Sequence, residues 1–343
     1  MFTEAWRERI REQAREMEYT KAIPSDILTF MYEQKLFKLF VPEELGGKML
    51  SLPEALRVFQ KASAVEGNFG WLTTIGSGGG MFVPFMDTEW AEKLFSPNHA
   101  VLAGSGHPNG VAAEVDGGYI VNGEWKYCSG SPFASFFTAN NKLKDGEILS
   151  FILMPEQVEI VEDWNAFGLK ATGSHSIKVN NAFVPKERTF SIFGEQNQYA
   201  NPIYTFPFVQ FSQSSFTAVC FGITESFYEE TNRIVEKRMS SAGERFKLVS
   251  EAVKKHEDLF SKSTSEFYSE VEKLWGDHLL GKTLDVTELE HFSQICKRSV
   301  KLAIDGTNSL IRQLGMEAIM EDSKLNKIWR DLYTAGQHSF ISS

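Results

Sequence analysis

Two short polar turns in the middle of the chain carry residues suited to holding a ligand. Ser129 and Gly130 follow one alternating apolar run, and Thr172, Gly173 and Ser174 precede another. Turns between strands present backbone N–H groups and hydroxyls at a protein surface. These two turns therefore mark a candidate site for a small molecule or a cofactor.

A third glycine-rich segment, Gly104 to Gly106, follows an apolar run and looks at first like a dinucleotide loop. Its spacing is G-x-G-x-x-x-G, and Pro108 and a hairpin follow where a Rossmann loop needs a helix. The sequence has no G-x-x-x-x-G-K-[ST], no H-E-x-x-H and no G-x-S-x-G, and its seven histidines lack metal-ligand spacing. The sequence therefore disfavours a Rossmann domain, a metal site and a serine hydrolase.

One histidine near the end of the chain, His338, follows Arg330 by eight residues. On a continuous helix, Arg330, Thr334 and His338 would lie along related faces. An imidazole exchanges a proton near neutral pH, so His338 is either a titratable group in a site or a solvated side chain at a polar helix end. Asp331 is expected to pair with a neighbouring cation.

Composition indicates a soluble protein of two or three domains. The 343 residues are 42% hydrophobic and carry a net charge of −10, with no basic cluster to bind nucleic acid. The apolar stretches are far shorter than the roughly 20 residues of a membrane span, and the first residues lack the pattern of a signal peptide. We therefore expect a cytoplasmic protein whose scattered cysteines are reduced.

The periodicity of apolar residues changes twice along the chain. Residues 1–98 show helical spacing, with helices predicted over 3–19, 24–38 and 52–65. Residues 99–205 alternate and carry hairpin turns, with strands over 149–154 and 177–184 among them. Residues 206–343 are helical again, including an apolar stripe from Val249 to Leu274 and a last helix from Lys324 to His338. The pattern predicts a helical domain, a β domain and a second helical domain.

The order of five segments resembles that of the acyl-CoA dehydrogenase superfamily. These segments are Leu36–Gly47, Gly67–Trp71, Gly118–Gly123, Gly168 and Phe183–Pro185. The resemblance implies an α+β fold with an N-terminal helical domain (1–98), a central antiparallel β-barrel-like domain (99–205) and a C-terminal four-helix bundle (206–343). It also implies a homotetramer or a homodimer.

Finer details resemble the flavin-dependent monooxygenases of two-component systems within that superfamily. The similar segments are Trp125 with Ser129 and Gly130, residues 168–175, and residues 330–338. Dehydrogenases of the superfamily commonly carry a catalytic glutamate after the Arg-Asp pair. Here the matching positions hold His338 and Ser339, and a desaturase without its base would lose half of its proton transfer.

The resemblance implies an enzyme that receives reduced FMN or FAD from a separate reductase and oxygenates a small aromatic or heteroatom-containing substrate. Ser129 would bond near the reactive edge of the flavin, and His338 would deprotonate a phenol-like substrate or hold a proton. The flavin-binding residues that the resemblance implies are Gly104, Ser105, Gly106, Tyr127, Cys128, Ser129, Thr172, Gly173 and Ser174.

Two alternatives remain open from the sequence. One is an acyl-CoA dehydrogenase or oxidase whose catalytic base lies elsewhere. The other is a non-catalytic flavin- or acyl-binding scaffold, because residues 76–80 are mostly glycine where many monooxygenase relatives carry a second histidine. Only remnants of the adenine-binding pattern occur, around 238–246 and 313–315, so the choice between FMN and FAD stays open.

Overall fold

The computed structural model describes residues 2–342, except for the side chains of residues 239–245. The fold is α+β, with a sheet between two helical parts. Among these residues, five α-helices precede the sheet: α1 (Glu4–Thr20), α2 (Ser25–Glu33), α3 (Leu52–Val65), α4 (Gly67–Gly78) and α5 (Thr88–Phe95).

Local sequence explains where helix α3 begins and where helix α2 ends. Helix α3 has the predicted bounds, and its start is fixed by a capping box in which Glu54 accepts hydrogen bonds from Ser51. The prediction that α2 continues to Lys38 is wrong. Lys35 adopts a left-handed conformation with φ of 55°, and Leu36 N–H bonds to Met31 O, which ends the helix as in a Schellman motif.

The central residues form one sheet of seven strands. Their order across the sheet is β5-β6-β2-β1-β3-β4-β7; β1 and β3 run parallel, and the other neighbouring pairs are antiparallel. The strands are β1 (Leu102–Val115), β2 (Gly118–Cys128), β3 (Phe136–Lys142), β4 (Ile148–Leu153), β5 (Glu159–Val161), β6 (His175–Pro185) and β7 (Thr189–Phe190).

The prediction of a barrel-like β domain is wrong in one respect, because the sheet is open. Within residues 2–342, β5 and β7 form its two edges and do not pair with each other. Strand β5 has three residues and β7 has two, so neither edge offers a long row of unpaired backbone groups. The sheet is mostly antiparallel, and its edge strands are so short that the sheet can stay open and does not have to close into a barrel.

The C-terminal part is helical and consists of α6 (Phe208–Leu279), α7 (Val286–Ile311) and α8 (Lys324–Ala335). The ring centroid of Phe221 lies 5.2 Å from that of Phe267, although both residues belong to α6. A straight helix rises 1.5 Å per residue and would separate them by about 69 Å. The two halves of α6 therefore lie side by side, and α7 and α8 pack against them.

The predicted apolar stripe from Val249 to Leu274 is buried in the core of this chain. Its apolar side chains are buried in the core that α6 shares with α3, α7 and α8. Among the described residues, no helix is long and apolar enough to cross a membrane.

Candidate active site

The first two predicted flavin segments meet at one end of the sheet. Val111 of β1 lies opposite Asn122 of β2, and the two strands are antiparallel. Moving toward the start of β1 therefore corresponds to moving toward the end of β2. The start of β1, with residues 104–106, and the end of β2, with residues 127–129, therefore lie at the same end of the sheet, although a bulge between Ser105 and Gly110 interrupts the register of β1.

The third segment joins them from β6. Cys128, the last residue of β2, lies opposite His175, the first residue of β6. The turn 172–174 immediately precedes β6, and Gly130 N–H donates to Thr172 O at 2.8 Å. All three predicted segments thus converge at the same end of the sheet.

Three hydroxyls at this end form a continuous series of hydrogen bonds, named here the hydroxyl chain: Ser129, Ser174 and Thr172. Ser129 Oγ lies 2.7 Å from Ser174 Oγ, which lies 2.7 Å from Thr172 Oγ1. Trp71 Nε1–H donates to Ser129 Oγ at 3.0 Å, and Thr172 Oγ1–H donates to Leu169 O at 2.9 Å. All three hydroxyl residues are buried, and they link α4 to both turns.

Next to the hydroxyl chain, the sheet end presents an exposed aromatic ring and open backbone. Tyr127 is 66% exposed, has a left-handed φ of 67°, and its ring lies 6.3 Å from that of Trp164. Gly106 has no atom within 4 Å of the position a Cβ would take. Gly104 and Ser105 pair with Thr138 and Ala139 of β3 and are partly exposed. This surface combines an aromatic ring with open backbone and adjacent polar groups.

Cys128 differs from the other predicted flavin residues. Its side chain is fully buried in the core of the sheet, and its thiol donates to Trp125 O at 3.5 Å. Burial raises the pKa of the thiol to about 12, so the group stays protonated. Successive residues of a strand face opposite sides and the Cys128 side chain faces inward, so the predicted contact of Cys128 with a flavin would have to be made by its backbone.

His338 approaches the hydroxyl chain from the other side. Its imidazole stacks on the ring of Phe216 with centroids 3.8 Å apart, and its centroid lies 6.0 Å from that of Trp71. Trp71 is the donor to Ser129, so one side chain separates the two predicted catalytic residues. The prediction that His338 lies on the last helix is wrong, because α8 ends at Ala335 and His338 follows in a turn.

The imidazole of His338 is neutral at pH 7. Burial lowers its pKa to about 4, and an electrostatic interaction with His107 contributes to the lowering. Its Nδ1 accepts the backbone N–H of Phe340 at 3.4 Å, so the proton of the neutral ring lies on Nε2. Among the described residues Nε2 has no hydrogen-bond partner, and it is available as a donor.

A buried ion network lies behind the turn that carries Thr172 and Ser174. Lys327 bonds to Glu66 and, at 2.7 Å, to Asp331, which confirms the expected cation partner of Asp331. Burial would lower the pKa of Lys327, but Asp331 and Glu66 together raise it above its ordinary value. Asp331 Oδ1 also accepts Leu169 N–H at 2.6 Å, so the network is tied to the start of the turn.

Further contacts hold the same turn against α4 and α8. Asn68 Oδ1 accepts Ala171 N–H at 2.9 Å, and Arg330 donates to Phe167 O at 2.8 Å. Gly168 lies so close to α8 that a Cβ would stand 2.2 Å from Arg330 O. The backbone is thus fixed on both sides of the residues that lead into the hydroxyl chain.

Sequence reasoning missed Trp71 as a contact of Ser129, Phe216 as the stacking partner of His338, and the role of Lys327. The spacing of Lys327 and Asp331 at i and i+4 was a usable signal for a helical ion pair. The other two contacts join residues 58 and 122 positions apart and leave no local pattern. Among the described residues, no group of three His, Cys, Asp or Glu side chains could hold a metal ion.

Two family descriptions match the chain. Residues 1–93 match "Acyl-CoA dehydrogenase, N-terminal domain", and residues 214–343 match "Acyl-CoA dehydrogenase, C-terminal domain". Together they cover well over half of the sequence on both sides of the sheet. The chain belongs to the acyl-CoA dehydrogenase superfamily.

Within this superfamily, the chain is similar over almost its whole length to named monooxygenases. It is 26% identical to an indole-3-acetate monooxygenase of Pseudomonas putida, with 98% of this chain and 89% of that relative covered. It is 25% identical to HsaA of Rhodococcus jostii, the oxygenase subunit of a flavin-dependent monooxygenase, with 96% and 91% covered.

Solved structures agree on the fold. The 3-HSA hydroxylase from Rhodococcus sp. RHA1 superimposes with a TM-score of 0.91 at 24% identity, covering 98% of this chain and 91% of that one. XiaF from Streptomyces sp., in complex with FADH2, has a TM-score of 0.81 at 18% identity, with 98% and 92% covered. FMN-bound TdsC from Paenibacillus sp. A11-2 has a TM-score of 0.78 at 18% identity, with 97% and 91% covered. The predicted resemblance to the flavin-dependent monooxygenases of this superfamily is confirmed.

Proposed function

We propose that this protein is the oxygenase component of a two-component flavin-dependent monooxygenase. It receives reduced FMN or FAD from a separate reductase and oxygenates a small aromatic or heteroatom-containing molecule. The observation that carries the proposal is the convergence of residues 104–106, 127–129 and 172–174 at one sheet end, opposite His338. The similarity to named monooxygenases along nearly the entire chain supports it.

The residues at the sheet end fit a flavin. A flavin is flat and apolar on its faces and polar at its edge, and it needs aromatic or backbone surface beside hydrogen-bonding groups. Tyr127 and Gly106 supply an exposed ring and open backbone, and Ser129 supplies a polar group next to them. When bound, reduced flavin supplies the reaction with O2.

The protein's own contribution is positioning, exclusion of water and control of one proton. The rings of Trp71, Phe216 and Phe340 pack around His338, which is partly buried, and reduce its contact with water. Because His338 is neutral and holds its proton on Nε2, it donates a hydrogen bond into the site. We therefore favour the role of holding a proton over the deprotonation of a phenol, since a group with a pKa near 4 is a weak base.

Turnover with supplied reduced flavin tests the proposal. Reduced FMN or FADH2 is mixed with the protein, O2 and a panel of small phenols, indoles and thioethers, and product is followed by mass spectrometry with 18O2. The proposal expects one labelled oxygen atom in the product. Bleaching of bound oxidised flavin by an acyl-CoA, with no labelled product from any substrate, would instead identify a dehydrogenase. Flavin binding with neither reaction would identify a non-catalytic scaffold.

The proposal also covers the domain bounds of the protein, its oligomeric state and its cellular compartment. We propose three domains at 1–98, 99–205 and 206–343, the last a four-helix bundle, and a homotetramer or homodimer in the cytoplasm. The Val249–Leu274 stripe is buried within the chain, so an assembly would use other apolar side chains, such as exposed Met316, Ile319 and Met320 next to α8. Light scattering at micromolar concentration tests the assembly, and a monomer would contradict it.

A further inference from the structure

Helix α1 is held at its start by apolar contacts. The ring of Trp6 stacks on that of Phe30 with centroids 4.0 Å apart, and the ring of Phe2, just before the helix, lies 5.6 Å from that of Phe69. Ile10, about one turn further on, is fully buried in the same core. The first half of α1 therefore joins a core that it shares with α2, α3 and α4.

The second half of α1 is attached largely by polar contacts. Met17 is the only buried side chain of residues 11–20, all of which the structure describes. Two charged side chains at this end, Glu18 and Lys21, extend toward residues 165–170. Lys21, which follows the helix, donates from Nζ to Asn165 Oδ1 at 3.1 Å.

One carboxylate oxygen of α1 contacts two cations from separate elements. Glu18 Oε1 lies 2.8 Å from Lys170 Nζ and accepts a hydrogen bond from Arg330 Nη1 at 2.6 Å. Lys170 begins the short helical turn Lys170–Thr172, which leads into the hydroxyl chain, and Arg330 belongs to α8. These three side chains, named here the Glu18 junction, connect α1 and α8 to the turn.

The Glu18 junction is largely shielded from water. The side chains of Arg330, Glu18 and Lys170 are 7%, 16% and 30% exposed. Burial by itself would raise the pKa of Glu18, but hydrogen bonds from Lys170 and Arg330 lower it below its ordinary value. Because solvent screens a partly buried ion pair less than an exposed one, the junction constrains its elements more than a surface ion pair would.

The junction holds the outer side of residues 165–172. Arg330 also donates to Phe167 O at 2.8 Å, so the side chain that binds Glu18 holds this backbone as well. Together with the two contacts of the α1 end at positions 165 and 170, this gives three attachment points in the segment. Loosening α1 would release this side and leave only the inner contacts, such as those to Asn68 and Asp331.

We propose that the second half of α1 is a strap that positions the turn 172–174 through Glu18. Glu18 is a positioning residue, because it acts on the site through Lys170 and Arg330 and lies outside the predicted flavin contacts. The inference rests on the proposed function in one respect, since it assumes that a flavin binds at this turn. The ordering of residues 165–172 by the strap does not depend on a flavin and can be measured in its absence.

The test is Glu18→Gln, which removes the charge of the carboxylate and keeps the size of the side chain. Hydrogen exchange by mass spectrometry should show peptides of residues 165–172 exchanging about tenfold faster than in the wild type, with peptides of β3 unchanged. The dissociation constant for reduced FMN, measured anaerobically by fluorescence titration, should rise about fivefold. A role confined to global stability would leave this constant unchanged, because nearly all molecules remain folded.

Three further variants provide controls. Glu16→Gln makes the same change at an exposed position of α1 that has no ion pair among the described residues, and it should leave both measurements unchanged. Lys170→Met removes the partner side chain, should shift both measurements in the same direction, and tests the inference even if Glu18→Gln fails to fold. Because the two residues share one contact, the combined variant should lose no more than about twofold beyond Glu18→Gln alone.

Equal behaviour of Glu18→Gln and Glu16→Gln in both measurements would overturn the inference and leave the proposed function standing. Faster exchange with an unchanged dissociation constant would also overturn it, because the strap would then order the segment without positioning the site. A wild type that binds neither reduced FMN nor FADH2 would overturn both the inference and the proposed function.

Discussion

Removal of Asp331 should destabilise the protein far more than removal of a similar surface carboxylate. Asp331 is 1% exposed, bonds to Lys327 at 2.7 Å and accepts Leu169 N–H at 2.6 Å. Breaking a buried ion pair by removing one partner costs about 3–5 kcal/mol. Because Glu66 still pairs with Lys327 in Asp331→Ala, the lower end of that range applies to the pair. The orphaned Leu169 N–H adds about 1 kcal/mol, so we expect a loss of about 4 kcal/mol.

Lys301 and Asp305 provide the matched comparison. They have the same residue types and the same i, i+4 spacing on a helix, with a 2.6 Å contact, but both side chains are more than 60% exposed. Exposed pairs of this kind contribute about 0.3–0.5 kcal/mol. Asp305→Ala should therefore be nearly neutral, and Asp331→Asn should fall between the two alanine variants because its amide oxygen can still accept Leu169 N–H.

Urea unfolding followed by tryptophan fluorescence measures these losses, and hydrogen exchange by mass spectrometry localises them. The Asp331→Ala variant should shift the unfolding midpoint and speed exchange in peptides that contain residues 169–174. The reasoning is refuted if Asp331→Ala and Asp305→Ala differ by less than about 1 kcal/mol, or if exchange at 169–174 is unchanged.

Three further outcomes follow from other parts of the site. Gly173 has a φ of 54° and a Cβ there would lie 2.6 Å from Pro132, so Gly173→Ala should lower stability by about 1–3 kcal/mol; Gly117→Ala, with φ of 75° and no close atom, should cost about 1 kcal/mol in the same melting assay. As pH falls from 6.5 to about 4, the unfolded chain binds a proton at His338 that the folded chain does not, so stability should fall by up to about 3 kcal/mol over that window. His338→Gln should lack this part of the pH dependence, and parallel slopes for the two proteins would contradict the buried neutral imidazole. The Cys128 thiol should resist iodoacetamide at pH 8 until the protein unfolds, and rapid labelling of the native protein would contradict its burial.

Local patterns were sufficient to predict the order of the helical, β and helical parts and the bounds of several elements. The helix over residues 52–65 was predicted correctly because apolar spacing and Pro53 act within a few residues. Strand β3 was missed because its first four residues are all buried, so it does not alternate. The sequence interpretation also missed the reversal within α6, which is seen in contacts such as that between Phe221 and Phe267.

The candidate site also has features that the sequence could predict and features that it could not. The turns of Ser129 and Thr172 could be found from glycine and hydroxyl residues beside alternating runs, and the family resemblance predicted that they bind a flavin. The hydroxyl chain could not, because it joins Ser129 to Ser174, 45 residues further along, and to Trp71 of α4. The position of His338 beyond the helix was also not predictable, since α8 ends without a proline or a left-handed glycine: Gly336 has a φ of −68°.

Hydrogen exchange with and without reduced FMN, under anaerobic conditions, tests the central claim most directly. If a flavin binds where three strand ends converge, peptides containing residues 104–106, 127–129 and 172–174 should all become protected, and Ser129→Ala should weaken that protection. Protection confined to other segments, or none at saturating reduced FMN and reduced FAD, would contradict the account.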